Sequence, residues 1–212
     1  MSYSKINICN LALAIVGADA IRDFDEGNKR SRMADVFYEP VKDYVLTRMD
    51  WSFARRFKML NKVTTDPDAI PPGYFAYQLP NDCRTPREII PLGSRDPWEI
   101  LGDLLICHLD TADGAEVGLY YTATGTSVAR FTDPFVNTVA LGIAVKLAPP
   151  ITQDAEMTSA LYSQFANEMR EAWEADANIG NRYREYDETP ENDTFVNPDL
   201  ANFLGSTKTQ FL

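Results

Sequence analysis

One histidine, His108, is present in the chain, and it directly follows Cys107. A thiolate–imidazole pair would turn such a cysteine into a covalent nucleophile. Both residues fall in the run Leu104–Leu109, which reads as a strand. Consecutive strand residues point to opposite faces, so this pair cannot easily form. A single histidine also leaves no three-histidine or His-plus-His zinc site. Cys9 and Cys83 stand far from Cys107 and no CxxC pair occurs, so neither a disulfide framework nor a thiolate metal site is expected. Nothing resembles a GxSxG elbow, a GxxxxGK phosphate loop or a dinucleotide glycine fingerprint.

Carboxylates are the remaining source of chemistry, because two or three well-placed acids suffice for a glycosidase or a metal-dependent nuclease. Acids are so plentiful here that abundance singles none of them out. Asp23, Asp25 and Glu26 look locally metal-like but lack the glycine and terminal glutamate of a calcium loop, and are expected to form a solvated turn. The short basic clusters Lys29, Arg30 and Arg32, and Arg55, Arg56 and Lys58, are read as interface or solvated faces. No catalytic, cofactor-binding or metal-binding residue is assigned, and the chain is not expected to be an enzyme.

At 212 residues the chain fits one domain, or one domain with a sizeable insertion. Its net charge of −11 repels phosphates and anionic membranes, which disfavours sequence-reading DNA binding and a membrane partner. The free cysteines suit assembly in a reducing cytoplasm. No signal peptide is recognised and no segment is expected to span a bilayer.

The elements follow from periodicity. A first helix is expected from about Ser4 to Val16, apolar nearly all the way round and so buried on most sides, with Gly17 placed to end it. Ala34, Phe37, Val41 and Tyr44 then mark one face of a second helix. Pro40 inside it should kink it, or else separate two helices; the kink is preferred. Trp51, Phe53 and Ala54 close that segment as a bulky packing cluster, with Trp51 and Phe53 anchoring the next region onto the helices. From Phe57 to Thr126 the period falls to two, with runs at Tyr74–Leu79, Arg87–Pro91, Leu104–Leu109 and Val117–Thr122 and a turn signal at Asp113-Gly114. Asp133 is expected to cap a central helix with Pro134 in its first turn, and Pro149-Pro150 to end it. A long helix from about Gln153 to Ala177 carries Met157, Leu161, Phe165, Met169 and Trp173 at steps of four, a stripe expected to be core. Between Glu174 and Asp193 seven acidic residues face two basic ones, and beyond them lie the widely spaced Phe195, Phe203 and Phe211. Such a tail cannot order itself. It reads either as a loose end or as an arm that orders against a partner through those aromatics.

The chain is therefore expected to be α+β, mainly α: a helical bundle core with an inserted small antiparallel β subdomain and an extended C-terminal arm. The core takes residues 1–56 and 127–180, the β subdomain 57–126 and the arm 181–212.

Several segments together resemble a known family. Ile6-Asn7-Ile8-Cys9-Asn10-Leu11-Ala12-Leu13 followed by Gly17-Ala18, Tyr38-Glu39-Pro40-Val41 leading to Trp51-Ser52-Phe53-Ala54, Tyr77-Gln78-Leu79-Pro80-Asn81-Asp82-Cys83, Tyr120-Tyr121 and Phe131-x-Asp133-Pro134-Phe135 occur in the order found in phage tail tubular protein A, the head-to-tail adaptor family of short-tailed bacteriophages. The resemblance covers about residues 4 to 180. It implies a structural virion protein of the tail neck, assembled in the host bacterial cytoplasm. It further implies a homo-oligomeric ring, a dodecamer, that joins the portal protein to the tail nozzle protein and lines the DNA passage. On this reading Tyr38, Pro40, Trp51 and Phe53 are packing residues; the arm bearing Phe195, Phe203 and Phe211, which the resemblance does not reach, is expected as a hypothesis to bind the portal. A carboxylate-based virion hydrolase and another tail-completion subunit remain alternatives.

Overall fold

In the computed structural model, residues 3–64, 69–91, 97–110 and 116–177 are described. The Asp113-Gly114 turn and the arm with Phe195, Phe203 and Phe211 lie outside them. The fold is α+β and mainly helical, with four long helices and two small antiparallel sheets.

Ser4 opens α1 (Lys5–Ile15) by accepting a hydrogen bond from the Asn7 amide at 3.2 Å. Gly17, at φ +70°, closes it in the left-handed region. The Asn10 side chain both donates to and accepts from the Ile21 backbone, pinning the following loop to the helix. Burial is one-sided: Ile8, Cys9, Ala12 and Leu13 face inward, while Leu11 is exposed. Burial on most sides, expected of this helix, is not found, because neighbours cover one side only.

The Asp23–Glu26 segment is a capping box around a short 3-10 turn, Phe24–Glu26. Glu26 accepts from the Arg22 and Asp23 amides and from Asn28, and the Arg22 amide chiefly holds its carboxyl below the usual range. Helix α2 (Lys29–Arg48) then runs unbroken through Pro40. The carbonyl that loses its donor there belongs to Val36, which like Pro40 lies on the exposed face, where water can satisfy it. The buried stripe is Ser31, Ala34, Tyr38, Val41 and Val45, and Phe37 and Tyr44 flank it half-buried.

Seven strands follow: β1 (Arg55–Met59), β2 (Lys62–Val63), β3 (Phe75–Gln78), β4 (Cys83–Ile90), β5 (Trp98–Leu101), β6 (Leu104–Cys107) and β7 (Gly118–Ala123). They form one sheet in the order β1-β7-β4 and another in the order β2-β3-β6-β5. Tyr77, Leu105 and Cys107 from the second sheet share a core with Ile89, Leu119, Tyr121 and Ala123 from the first. The inward set on β7 has the period of two that the sequence announces.

Helix α3 (Asp133–Thr152) is central and packs against α1, α2 and α4 (Ala155–Ala177). Gly142 makes this possible: a Cβ there would lie 2.7 Å from a Val41 methyl and 2.9 Å from the Phe165 ring, so a larger residue would push α2 or α4 away. Three expectations for α3 need correction. Thr132, not Asp133, is the N-cap, and Asp133 Oδ1 instead accepts from the Tyr3 hydroxyl at 2.9 Å. The helix continues past Pro149-Pro150, whose missing N–H groups deprive the carbonyls of the half-buried Val145 and the exposed Lys146, where water can serve instead, and Gln153 at φ 55° ends it. Lys29 donates to the Pro150 carbonyl at 2.8 Å and offsets the terminal negative dipole. By length and composition α3 could also cross a bilayer, contrary to expectation, but it lies mostly buried among the other helices.

On α4 the buried set is Leu161, Phe165, Met169, Ala172 and Asp176, whereas Met157 and Trp173 are only half-buried. A step of four overshoots one helical turn by about 40°, so after two such steps a step of three restores the inward direction.

Candidate functional site

The most elaborate polar and aromatic arrangement sits where α2 ends and the strands begin. Trp51 is fully buried, and its indole N–H donates to the Val45 carbonyl at 2.9 Å, satisfying one of the last carbonyls of α2. Its ring meets Phe135 edge-on at 5.0 Å, and Phe53 lies 4.9 Å from Phe135 and 5.5 Å from Phe131. Two sequence segments some eighty residues apart thus close into one aromatic cluster whose tilted and edge-to-face geometries are the favoured ones. The ring contacts of Trp51 and Phe53 run to α3 and to the residues leading into it.

Two further residues complete this joint, and sequence reading missed both. Asp176 is 2% exposed and accepts from the Ser52 amide at 2.7 Å and the Ser52 hydroxyl at 2.8 Å. It ties the end of α4 to the 3-10 turn Ser52–Ala54, although by position it also falls in the acidic stretch expected to be unable to order itself. The Arg87 guanidinium, half-buried at β4, donates to the Thr122 hydroxyl at 2.8 Å and to the Thr47 and Met49 carbonyls at 2.9 and 2.6 Å. Burial pulls its pKa down, which the charge of Asp50 opposes. Arg87 thereby fastens the first sheet to the C-terminus of α2. The signal for Arg87 was weak, because its neighbours in β4 include the polar Arg84, Thr85 and Glu88. For Asp176 the signal was an acid one helical turn beyond an inward alanine.

Tyr38 is 1% exposed, and its hydroxyl finds no partner among the described residues. Burial raises its pKa, and the ammonium groups of Lys5 and Lys42 lie 5.1 and 5.8 Å from its ring. Pro40 takes no part in the joint and stays exposed on α2.

The residues considered for chemistry stay apart. Cys107 is buried and His108 exposed on the opposite face, where His108 Nδ1 lies 3.0 Å from the Gly73 carbonyl. Burial pushes the Cys9 thiol up to about 12 and Cys83 to about 11, so neither is a thiolate at neutral pH. No group of three metal-ligating side chains occurs among the described residues. Arg55 bridges Asp50 at 2.7 Å and Glu88 at 2.8 Å, and Arg56 pairs with Asp82 at 2.9 Å. Asp82 also accepts from the Tyr121 hydroxyl at 2.9 Å, joining the Pro80-Asn81-Asp82-Cys83 element to β7. The arrangement holds helices and sheets in fixed register. Comparison with protein-family models and with curated proteins finds no match for this chain.

Proposed function

We propose that this chain is a structural virion protein, a head-to-tail adaptor of the tail tubular protein A kind, and not an enzyme. It would assemble as a ring between portal and tail nozzle, with DNA passing through and no sequence read. The observation that carries this reading is the mutual contact of the segments on which the resemblance rests. The Trp51–Ala54 segment packs on Phe131 and Phe135, and Asp82 hydrogen-bonds to Tyr121. Segments scattered along the chain thus meet in pairs within the fold, which supports reading their resemblance as a shared architecture. The buried acid among the described residues, Asp176, has both oxygens engaged by Ser52, so a paired-carboxylate hydrolase draws no support from it. The arm carrying Phe195, Phe203 and Phe211 lies beyond the stretch that carries the resemblance and is proposed to bind the portal through these aromatics as anchors.

Light scattering after size exclusion tests the reading, on the purified chain alone and mixed with its cognate portal protein. A ring-sized mass, alone or only on the portal, is the expected result. A chain that stays monomeric and ignores the portal overturns it.

A further inference from the structure

We propose that copies of this chain join head to tail, the outer edge of β1 in one copy entering the groove between α1, α3 and α4 of the next. The inference rests on the ring reading and supplies the two faces that reading lacks. The groove holds about 490 Å³ and is lined by Leu11 and Ile15 of α1, Ala140 and Leu141 of α3, and Gln164 and Glu168 of α4. Leu11, an apolar residue in the middle of a helix, is 42% exposed at its rim. Glu168 has Glu171 one turn further on, and neither makes an ion pair among the described residues. Partial burial, with the Glu171 charge beside it, raises the Glu168 carboxyl, as expected of an acid lacking a cation. The groove is thus apolar with an unmatched negative wall.

The first sheet presents the complement. Strand β1 lies at its edge, pairing with β7 on one side only, and leaves Phe57 and Met59 exposed at 47% and 42%. The Phe57 ring is held in place: it sits 4.8 Å from the Tyr120 ring and covers Gly118 so closely that a Cβ there would lie 2.5 Å away. Residues 55–62 carry four basic side chains and no acid, in a chain of net charge −11. Three of the four are held by Asp50 and Glu88, by Asp82 and by Asp110, while Lys58 makes no ion pair among the described residues. A strand edge with Phe57 and Met59 on one face and the free cation of Lys58 on the other, and an apolar groove walled by the free carboxylate of Glu168, both on one chain, define a heterologous contact, the kind that closes rings, with the strand entering edge-on so that both of its faces meet the groove.

Charge exchange tests this in the full-length protein, under the conditions, alone or on the portal, in which wild type assembles. Lys58→Glu and Glu168→Lys are each expected to weaken assembly about tenfold, as loss of one interfacial ion pair does. Thermal unfolding should remain at the wild-type midpoint. An equimolar mixture of the two variants should recover assembly, because every contact in an alternating ring is then matched. Glu171→Lys serves in place of Glu168→Lys if the latter unfolds. Rings that form normally from each variant overturn the face assignment and leave the adaptor reading standing, with Lys58 then only guarding a sheet edge. Weak assembly that mixing does not restore also overturns it. A wild-type chain that is monomeric under all conditions overturns both.

Discussion

Trp51 and Tyr121 are both buried aromatics with a polar tip, yet they stabilise the joint differently. Trp51 contributes volume: its indole fills the space between the end of α2 and Phe135 and donates one hydrogen bond. Trp51→Ala removes that volume and leaves the Val45 carbonyl buried without its donor, which should cost about 3–5 kcal/mol. Urea denaturation reads this directly, and an unchanged midpoint would contradict the packing role. Tyr121 contributes a proton. Burial first, and then its hydrogen bond to Asp82, push its pKa up to about 12 from an ordinary value of 10.0. The fold therefore favours the neutral phenol. The stabilisation is complete below the unfolded value and is lost as pH rises through about 12. The difference in melting temperature between wild type and Tyr121→Phe should accordingly shrink between about pH 10 and 12. A difference that stays constant across that window would mean that the phenol ionises as freely in the folded chain as in the unfolded one.

Helices were legible from sequence because burial imposes a period on them, and the period survives at most positions. Those of α3 and α4 stand close to their expected bounds, since Val136, Val139, Ile143 and Leu147, and Leu161, Phe165 and Met169, all face inward. Where the stripe was misplaced by a residue, at Phe37 and Tyr44, the cause is that alternating steps of three and four admit two neighbouring faces. Strands were legible only where one face is buried. Strand β7 announces itself through Leu119 and Tyr121, but β1 and β5 expose most of their residues and so show no alternation to read. The joint was legible in its apolar half and opaque in its polar half. A buried tryptophan is recognised by type. Asp176 and Arg87 are ordinary surface residue types whose partners, Ser52 and the carbonyls at the end of α2, come together only in the fold. Charge counting grouped Asp176 with the acidic tail because it cannot tell a paired acid from a free one.

At the scale of the whole molecule the charge is unevenly spread, and that bears on what can pass beside it. The basic side chains of residues 55–62 are mostly neutralised within the chain, by Asp50, Glu88, Asp82 and Asp110, while acids such as Glu168 and Glu171 remain unmatched. Affinity for a nucleic-acid backbone comes from releasing counterions with free Lys and Arg groups, and each such contact adds close to one power of salt dependence. A chain of net charge −11 has little with which to gain that term, and a ring of such chains would repel a passing duplex instead of retaining it. A fluorescently labelled DNA duplex titrated with the protein, alone and with portal, should show no change in anisotropy at about 0.15 M salt, where the screening length is about 8 Å. Lowering the salt should not create binding, since weaker screening strengthens the repulsion. Binding that tightens as salt falls would mean that cations face the duplex, and the reading of the ring as an acidic-walled conduit would then have to be given up.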